Sequence, residues 1–362
     1  MPVTLISFAR GAPAPECLAP KLIADCAREA IEHGGPAVLS YGPGGGYLPL
    51  REWLAGRHGV QPGRVILTNG SLQGFVFLAQ RIAGSGGRVL VEAPTYDRPL
   101  KILAALGAEI VALPMDEEGL DPDALERELV AGPPPAFLYT IPTFQNPTGR
   151  TLPVERRRRI AELAERHDLL VLEDDPYGLV RYEGEAPPLL FDLEGGERVV
   201  YTSSFSKTVA PGVRVGYFVL PEGLAAAIEE VAVSTYISPP ALTQATVHEL
   251  ISRGAFGPNL ERVCGLLRTR RDAMLAALAR EFPAGASWSQ PEGGYFLWVT
   301  FPEGVDAGDL LVRALEAGVA FVPGSDFFPT ASGDGAGAAR FAFSFESPER
   351  IAEGVARLAE LL

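Results

Sequence analysis

Lys207 stands inside SSFSKTVAPGVRVGY, a stretch rich in hydroxyl groups that lies between the apolar runs VVY and FVL. A lysine amine becomes a nucleophile or a Schiff-base former when burial and neighbouring cations lower its pKa. Ser204, Ser206 and Arg214 are close to it in sequence, and hydroxyls together with a guanidinium are suited to a phosphate dianion. The pattern predicts either a lysine placed for covalent chemistry beside an anion or an ordinary lysine on a surface turn.

Polar side chains follow two further apolar runs at the points where predicted strands end. Asn146 lies in PTFQNPTG after AFLYTI, and Asp174 and Tyr177 lie in LEDDPYG. Ligands of open α/β sheets bind at the carboxyl ends of strands, which favours a functional role over a plain Asn–Pro turn. Because a buried carboxylate needs a partner, we expect Asp174, nearest the apolar run, to be the buried acid. We expect Asp175 to be a solvated loop acid or a cap.

Three more segments contain groups that recognise anions and flat rings. TNGSLQG places Gly70, Ser71 and Leu72 at a strand-to-helix turn, which is either a phosphate site or a plain N-cap. Tyr96 in EAPTYDRP follows a strand, where it stacks on a planar ligand or packs in the core. Arg340 enters the apolar strand of AARFAFSF, where a guanidinium needs an anion, either the carboxylate of a ligand or a salt-bridge partner within the protein. Jointly, these segments favour one functional site over separate structural roles.

Seven short apolar runs predict strands that are buried on both faces. They cover residues 64–68, 88–93, 109–114, 136–141, 169–174, 198–204 and 215–220. Amphipathic helical patterns between many of them favour an α/β protein with a mostly parallel seven-stranded sheet flanked by helices. From about residue 285 the pattern becomes α+β. We therefore expect a large domain over residues 41–284 and a smaller α+β domain built from residues 1–40 and 285–362.

The composition argues against several classes of protein. The 362 residues are 47% hydrophobic, enough for a large core, and their net charge of −14 repels phosphate backbones, so we expect no nucleic-acid partner. We expect the densest basic run, ERRRRI, to be the exposed start of a helix. Three cysteines without CxxC spacing and four scattered histidines indicate neither a disulfide framework nor a metal site. Without an apolar run of ~18–20 residues or a leader pattern, we expect a soluble cytoplasmic protein with no membrane partner.

The motifs occur in one order along nearly the whole chain. They are YGPGGGYLPLR, TNGSLQG, APTY, PTFQNPTG, EDDPYG, SSFSKTVAPGVRVGY, VPGSDFF and ARFAFSF. In this order the sequence resembles the pyridoxal-phosphate enzymes of the aspartate-aminotransferase fold, which are the fold type I, class I/II aminotransferases. The strings NPTG and SFSK…PGxRxG are highly specific to that family. The resemblance is nearest to its 2-aminoadipate, broad-specificity branch.

The resemblance implies how the site would hold its cofactor, pyridoxal 5′-phosphate. Lys207 would carry it as a Schiff base, and Asp174 would pair with the pyridine nitrogen and keep the ring protonated. Tyr177 and Asn146 would hydrogen-bond the phenolic oxygen of the ring, and Tyr96 would stack on its face. The phosphate would be bound by Gly70, Ser71, Leu72, Ser204, Ser206 and Arg214.

The resemblance also implies the substrates and the assembly. Arg340 would clamp the α-carboxylate of the substrate, with Asn146 and Gly11 beside it. Lys207 would then move the Cα proton as a base and an acid. An amino group would thereby pass from an L-amino acid to a 2-oxo acid, for which we expect 2-oxoglutarate. Tyr41 matches a tyrosine that reaches the phosphate of the neighbouring subunit, so we expect a homodimer with shared active sites.

Two other functions remain open at this point. The same fold supports many reactions, so a C–S β-lyase or other chemistry at the α-carbon is the alternative among enzymes. A catalytically silent ligand-binding module is the alternative outside enzymes. That module predicts a missing lysine or a missing set of anion-binding groups, and the sequence contains both.

One departure from the family pattern concerns Arg10. The string FARGAPAPE has Arg10 where this branch often has a glycine. We also expect this chain to lack the longer leader helix that some relatives use over the substrate. Both changes fall near the expected position of the substrate side chain. We expect either that Arg10 helps select that side chain, for example an acidic one, or that it is an exposed loop residue.

Overall fold

The seven predicted strands all form, and they lie in one sheet. In this computed structural model, which describes residues 5–329 and 334–362, the helices and strands have the following bounds. The strands are β1 (Ile6–Ser7), β2 (Val65–Thr68), β3 (Arg88–Ala93), β4 (Glu109–Asp116), β5 (Gly119–Leu120), β6 (Phe137–Thr140), β7 (Val171–Asp174), β8 (Val199–Ser204), β9 (Gly216–Val219), β10 (Ser287–Trp288), β11 (Phe296–Thr300), β12 (Val319–Ala320), β13 (Val322–Pro323) and β14 (Ala338–Ala342). The helices are α1 (Pro20–Gly34), α2 (Leu48–His58), α3 (Ser71–Leu78), α4 (Asp97–Leu106), α5 (Pro122–Ala131), α6 (Val154–His167), α7 (Leu190–Glu194), α8 (Glu222–Tyr236), α9 (Ala241–Ser252), α10 (Phe256–Glu281), α11 (Ala307–Glu316) and α12 (Pro348–Ala359).

The large sheet has eight strands in the order β2-β9-β8-β7-β6-β3-β4-β5. Strand β9 is antiparallel to both of its neighbours, and β5 is antiparallel to β4, while the other pairs are parallel. The predicted fold class, α/β with a mostly parallel sheet flanked by helices, is confirmed. The eighth strand, β5, spans only two residues and pairs with the end of β4, so it is too short to give an apolar run of its own.

The strand directions bring several chain segments to one edge of the sheet. Strands β2, β3, β6, β7 and β8 all point their carboxyl ends to this edge, and the antiparallel β9 begins there. Gly216, the first residue of β9, lies opposite both Thr68 at the end of β2 and Ser204 at the end of β8. Loops that leave the carboxyl ends of parallel strands form the binding edge of open α/β sheets.

Helix α6 shows where the sequence pattern holds and where it fails. Its residues Ile160, Leu163 and Ala164 recur at helical spacing, and all three are buried against the sheet. The expectation that its basic first turn is exposed is wrong for Arg157, which is completely buried. The Arg157 guanidinium donates to the carbonyl oxygens of Leu152 and Pro142, at 2.8 and 2.7 Å. The Pro142 carbonyl oxygen also accepts from the Leu152 N–H at 2.7 Å, so the buried guanidinium joins an existing set of loop hydrogen bonds.

The C-terminal part of the chain builds a second, smaller sheet. Strands β10, β11, β14 and β13 form it in that order, and all their pairings are antiparallel. The N-terminal strand β1 pairs with β12, so the start of the chain joins this part of the molecule. The end of α10 and all of α12 share its apolar core, whereas α1 packs against α9. The domain division at residues 40 and 285 stays a prediction, and this packing favours a boundary inside α10.

Three features that the sequence argues against, a disulfide framework, a metal site and a membrane-spanning helix, can be looked for in the described residues. Cys17, Cys26 and Cys264 are free thiols. Over residues 5–329 and 334–362, no cluster of three or more His, Cys, Asp or Glu side chains is arranged to hold a metal ion. Within the same ranges, no helix combines the length and the apolar character that crossing a membrane requires.

Candidate active site

One cavity gathers nearly all the candidate residues of the sequence. It has a volume of about 380 Å³ and lies at the sheet edge where the parallel strands end. Its lining includes Gly11, Gly70, Ser71, Leu72, Tyr96, Asn146, Asp174, Tyr177, Ser204, Ser206, Lys207, Arg214 and Arg340. A larger cavity of about 500 Å³, beside Trp288 and Trp298, contains neither a lysine nor a buried aspartate, so we place the chemistry in the smaller one.

Lys207 lies in the turn that follows β8, with its amine inside the cavity. Its Nζ donates to the carbonyl oxygen of Gly11 at 2.8 Å and lies 4.9 Å from the centre of the Tyr295 ring. Burial lowers the pKa of Lys207 to about 8, and the positive charges of Arg340 and Arg214 act in the same direction. More of this amine is therefore neutral and nucleophilic near neutral pH than in an exposed lysine.

Asp174 ends β7 as a buried carboxylate with one oxygen unused. Its Oδ2 accepts from the Tyr139 hydroxyl at 2.8 Å, whereas Oδ1 is buried and has no hydrogen-bond partner. Burial raises the pKa of Asp174 to about 7, and the Tyr139 hydrogen bond opposes that shift. An unpaired buried carboxylate oxygen is costly, so this atom indicates a missing donor that a ligand supplies.

Asp175 is also buried, so the expectation of a solvated loop acid is wrong. Its Oδ1 accepts from the backbone N–H of Gly178 at 2.8 Å, and its Oδ2 accepts from the Tyr201 hydroxyl at 3.0 Å. The alternative expectation of a helix cap is also wrong, because residues 176–179 form bends and a turn, and the Gly178 contact closes that turn. Both oxygens of Asp175 thus serve the fold, and the adjacent Asp174 is the acid that faces the cavity.

The start of α3 and the beginning of β9 form a cradle of backbone and hydroxyl groups. Helix α3 begins after Gly70 without a side-chain cap, so its first N–H groups are available to an anion. A Cβ on Gly216 would lie 2.5 Å from the backbone of Gly70 and of Ser71, so only glycine allows this approach. Arg214 donates to the Asn69 carbonyl oxygen at 2.6 Å, which holds its guanidinium beside the helix start.

Two serines complete this cradle. The Ser204 and Ser206 hydroxyls lie 2.8 Å apart at the end of β8, and Ser204 also reaches the Val215 carbonyl oxygen. Hydroxyls, helix N–H groups and a guanidinium are the donors that a phosphate dianion requires. The donor set matches the phosphate site that the resemblance implies.

Arg340, in the middle of the small sheet, is a buried guanidinium with neutral partners. It donates to Asn146 Oδ1 at 3.0 Å and to the Ala9 carbonyl oxygen at 2.9 Å, and its Nε is buried without a partner. The Phe296 ring lies against the guanidinium at 4.2 Å. Burial lowers the pKa of Arg340, and nearby tyrosines and aspartates oppose that shift. Since neither hydrogen-bond acceptor is a carboxylate, the group has the capacity to bind one.

Two aromatic side chains line the cavity between these charges. Tyr177 is almost completely buried and its ring packs on Tyr295 and Phe296, with centroid distances of 5.4 and 5.7 Å. Burial raises the pKa of Tyr177, so its hydroxyl stays protonated and is a hydrogen-bond donor. Tyr96 immediately precedes α4 and presents its ring to the same space.

Two candidate residues do not line the cavity. Arg10 is exposed, and its guanidinium lies 4.2 Å from the centre of the Phe345 ring. Its neighbour Gly11 does line the cavity, and a Cβ there would collide with Phe296 at 2.5 Å. Tyr41 is 79% exposed, which leaves it free to reach another subunit. The proposed roles of Arg10 and Tyr41 stay predictions.

Sequence reasoning missed three side chains that complete the site: Tyr139, Tyr295 and Arg98. Tyr139 pairs in register with Leu172, which lies two residues before Asp174 on the same face of β7. Strand alternation in AFLYTI and LLVLED therefore contained a signal for this contact. No comparable signal exists for Tyr295, which reaches Lys207 from the distant loop before β11, or for Arg98 at the start of α4.

The site fits pyridoxal phosphate on the arrangement of its own atoms. The unused Asp174 oxygen suits a ring nitrogen, the cradle at Gly70 suits a phosphate, and the Lys207 amine suits an aldehyde carbon. These three groups line one cavity together with Tyr96 and Tyr177, whose rings supply flat apolar surface. This cofactor requires an acid beside its ring nitrogen, a binding site for its phosphate and a lysine whose amine is partly neutral.

Comparisons with known proteins agree with this geometry. The family described as aminotransferase class I and II matches residues 6–358. The 2-aminoadipate transaminase of Thermus thermophilus is 40% identical over 99% of this chain and 90% of its own length. The aromatic-amino-acid aminotransferase 1 of Thermococcus litoralis is 36% identical over 99% of this chain and 88% of its own.

Solved structures extend the similarity to the fold. The alpha-aminoadipate aminotransferase of Thermus thermophilus, complexed with N-(5'-phosphopyridoxyl)-L-leucine, superposes with a TM-score of 0.93 at 38% identity. The match covers 98% of this chain and 91% of that one. The family match over nearly the whole chain therefore assigns this protein to the pyridoxal-phosphate-dependent aminotransferases of class I and II.

Proposed function

We propose that the chain uses Lys207 to transfer the α-amino group of an L-amino acid to a 2-oxo acid. Membership of the family makes it an aminotransferase, and the relatives give no support to the β-lyase alternative. One observation carries the assignment of residues. The Lys207 amine and the unpaired Asp174 oxygen line the same cavity as the buried Arg340 guanidinium.

Arg340 binds and orients the substrate. Its guanidinium is held by Asn146 and Ala9, so it presents a fixed pair of donors to an α-carboxylate. Fixing that carboxylate limits rotation about Cα and holds the Cα–H bond near the Lys207 amine. When bound, pyridoxal phosphate supplies an electron sink for the negative charge that develops at Cα.

Lys207 moves the proton at Cα. Burial and the two nearby arginines favour its neutral form, which is the form that accepts a proton. The same Nζ then donates the proton back when the amino group changes carrier. The aromatic rings of Tyr177 and Tyr295 lie beside the amine, with their centres 5.6 and 4.9 Å from Nζ, and limit the access of water to it.

Asp174 and Tyr177 set the electronic state of the site. Tyr139 fixes one oxygen of the Asp174 carboxylate, and the unpartnered Oδ1 would hold a proton at the ring nitrogen of the cofactor. Tyr177 and Asn146 would donate to its phenolic oxygen. Helix α3, Ser204, Ser206 and Arg214 would bind its phosphate, and Tyr96 would stack on its ring.

The proposal includes a homodimer and a cytoplasmic location. A homodimer is supported by exposed apolar side chains on residues 39–48 and on α8 and its end: Leu39, Tyr41, Leu48, Val233 and Ile237. A reducing compartment such as the cytoplasm is supported by three thiols that form no disulfide. We further propose 2-oxoglutarate as the acceptor, as the transaminase relatives named for dicarboxylic 2-aminoadipate suggest.

An amino-donor screen with 2-oxoglutarate tests the proposal. We expect the purified protein to carry a visible absorption band from bound pyridoxal phosphate and to form glutamate from at least one L-amino acid. Lys207→Ala should abolish both the covalent attachment and the transfer. Lys101→Ala, which removes an exposed lysine outside the cavity, should retain both. A Lys207→Ala variant with undiminished transfer would refute the assignment.

A further inference from the structure

We propose that Arg98 binds the distal carboxylate of a dicarboxylic substrate and thereby determines which amino and 2-oxo acids are preferred. The proposal rests on the proposed function and names the substrate class of that site. It starts from a positive charge that the proposed chemistry does not use. Arg98 lines the same cavity as Lys207 and Arg340.

The cationic groups of the cavity outnumber the roles assigned to them. Lys207 carries the reaction, Arg214 belongs to the phosphate cradle, and Arg340 takes the α-carboxylate. The unpartnered Oδ1 of Asp174 is assigned to the ring nitrogen of the cofactor. Arg98 is the fourth cation that lines this cavity, and the only anion it contacts among the described residues is Asp97, at 3.6 Å.

The contacts of Arg98 leave most of its guanidinium available. Its Nε lies 3.6 Å from Asp97 Oδ2, a long ion pair in which the Arg98 side chain is 59% exposed. The same Asp97 oxygen accepts from Lys101 Nζ at 2.7 Å, so Lys101 already satisfies it. Among the described residues, Arg98 has no other ion pair and no hydrogen bond from either Nη. Its Nη atoms are therefore available to a carboxylate in the cavity that Arg98 lines.

Arg98 also lies at the right place relative to the reacting groups. It occupies the first turn of α4, two residues after Tyr96, whose ring covers the proposed cofactor position. Burial, Asp97 and Asp174 raise the pKa of Tyr96, while the charges of Arg98 and Arg340 act on the same hydroxyl in the opposite sense. Both guanidinium groups line this one cavity, as the two carboxylates of a dicarboxylic substrate require.

The test compares substrates and inhibitors that differ only in the distal carboxylate. L-2-Aminoadipate and L-norleucine have chains of equal length, as do the unreactive acids glutarate and pentanoate. We expect Arg98→Gln to lower kcat/KM for 2-aminoadipate by about 10-fold or more, because a charge-assisted pair is lost, and norleucine to change less than about twofold. The Kd of glutarate should rise by a similar factor while that of pentanoate does not. Arg98→Lys should restore part of the difference.

A matched control distinguishes the loss of a specific contact in the cavity from the loss of one positive charge anywhere on the protein. Arg158→Gln also removes one positive charge, from a side chain that is 57% exposed against 59% for Arg98, and Arg158 lies outside the cavity. It should leave both ratios unchanged. The proposal is overturned if Arg98→Gln leaves the ratio of 2-aminoadipate to norleucine turnover and the glutarate Kd unchanged. A wild-type protein that transfers from no amino acid would instead refute the proposed function.

Discussion

Burial brings the pKa values of Lys207 and Asp174, the two central ionisable groups of the site, closer together. Lys207 falls to about 8 and Asp174 rises to about 7, each because the surroundings disfavour its charged form. Groups with pKa values near the working pH exchange protons most efficiently. The charged forms of Lys207 and Asp174 are therefore destabilised in the cofactor-free site. A ligand with a protonated ring nitrogen and a phosphate would supply charges of opposite sign and reduce this destabilisation.

The first residue-scale prediction concerns the stability of the cofactor-free protein. An unfolded lysine keeps its proton to pH ~10.5, whereas folded Lys207 releases it near pH 8, so the unfolded state binds more protons in between. The stability contribution of this group therefore rises with pH from about 8 to 10.5. Lys207→Met, which keeps the length of the stem, should stabilise the cofactor-free protein at pH 7 by on the order of 1 kcal/mol.

Calorimetric Tm values of both proteins across pH 7–10 check this prediction. The advantage of Lys207→Met should shrink as the pH rises and the wild-type lysine loses its proton. A variant that is less stable than the wild type at pH 7, or a difference that is constant with pH, would show that Lys207 is not desolvated.

The second residue-scale prediction contrasts two adjacent aspartates. Asp174→Asn keeps the size but removes the charge that would hold a ring proton, so kcat should fall by about 100-fold or more while the cofactor still attaches. Asp175→Asn weakens the contacts to Gly178 and Tyr201, so it should cost about 1–3 kcal/mol of stability and leave kcat within a few-fold. Urea unfolding and steady-state kinetics separate the two effects. Equal losses of kcat would contradict the division of roles.

At the scale of elements, the close approach of β9 to the start of α3 sets the position of the proposed phosphate site. Gly216→Ala would place a methyl group 2.5 Å from backbone atoms of Gly70 and Ser71, so the first turn of α3 must move. We expect the Kd of pyridoxal phosphate to rise by about 10-fold or more and stability to fall by about 1–3 kcal/mol. Gly212→Ala, in the same PGVRVG run, meets no atom within 4 Å and should be silent. Cofactor titration of both variants decides the matter, and equal affinities would exclude this role for β9.

The elements themselves were predictable because burial on both faces leaves a strong pattern. Continuous apolar runs marked the seven long strands, and the spacing of Ile160 and Leu163 marked α6. The two-residue β5 forms only because the chain turns back on β4, and no local pattern encodes it. The prediction that the basic first turn of α6 is exposed was wrong for the same reason, since the burial of Arg157 depends on carbonyl groups outside the helix.

The site was predictable to the extent that its groups sit at strand ends inside specific motifs. Lys207, Asp174 and Asn146 follow apolar strands and line the expected edge. Tyr295 and Arg98 reach the cavity through tertiary packing, and nothing in their local sequence distinguishes them from core or surface residues. Which distant side chains meet in a cavity depends on tertiary packing, so the sequence of a single chain does not identify them.

At the scale of the whole molecule, one surface carries apolar side chains that water disfavours. Tyr41 and Leu39 are 79% and 63% exposed, and the loop after them contacts the end of α8 through a hydrogen bond from Gly42 to Ser238. Ile237, beside Ser238, is 59% exposed and has a φ of 69°, a conformation that β-branched residues rarely adopt. An exposed and strained isoleucine indicates a surface that another molecule covers.

The last prediction is that this surface joins two copies of the chain and completes each active site. Ile237→Asp should yield a monomer, since a carboxylate would be buried at the contact, and aspartate tolerates a positive φ better than isoleucine. The monomer should bind pyridoxal phosphate weakly, because Tyr41 of a second copy no longer reaches the phosphate. Tyr41→Phe should stay dimeric and lose only that hydrogen bond, with Kd rising about 3- to 10-fold.

Val312→Asp is the matched control for the dimer. Val312 is 61% exposed on α11, in the part of the chain with the small sheet, so the substitution should leave the assembly and the cofactor affinity intact. Sedimentation velocity and cofactor titration on the three variants and the wild type make the comparison. A wild-type protein that sediments as a monomer with full activity would rule out the shared site, and a dimeric Ile237→Asp variant would move the interface elsewhere. Loss of the dimer and of cofactor affinity together, in Ile237→Asp alone, is the outcome that shared active sites require.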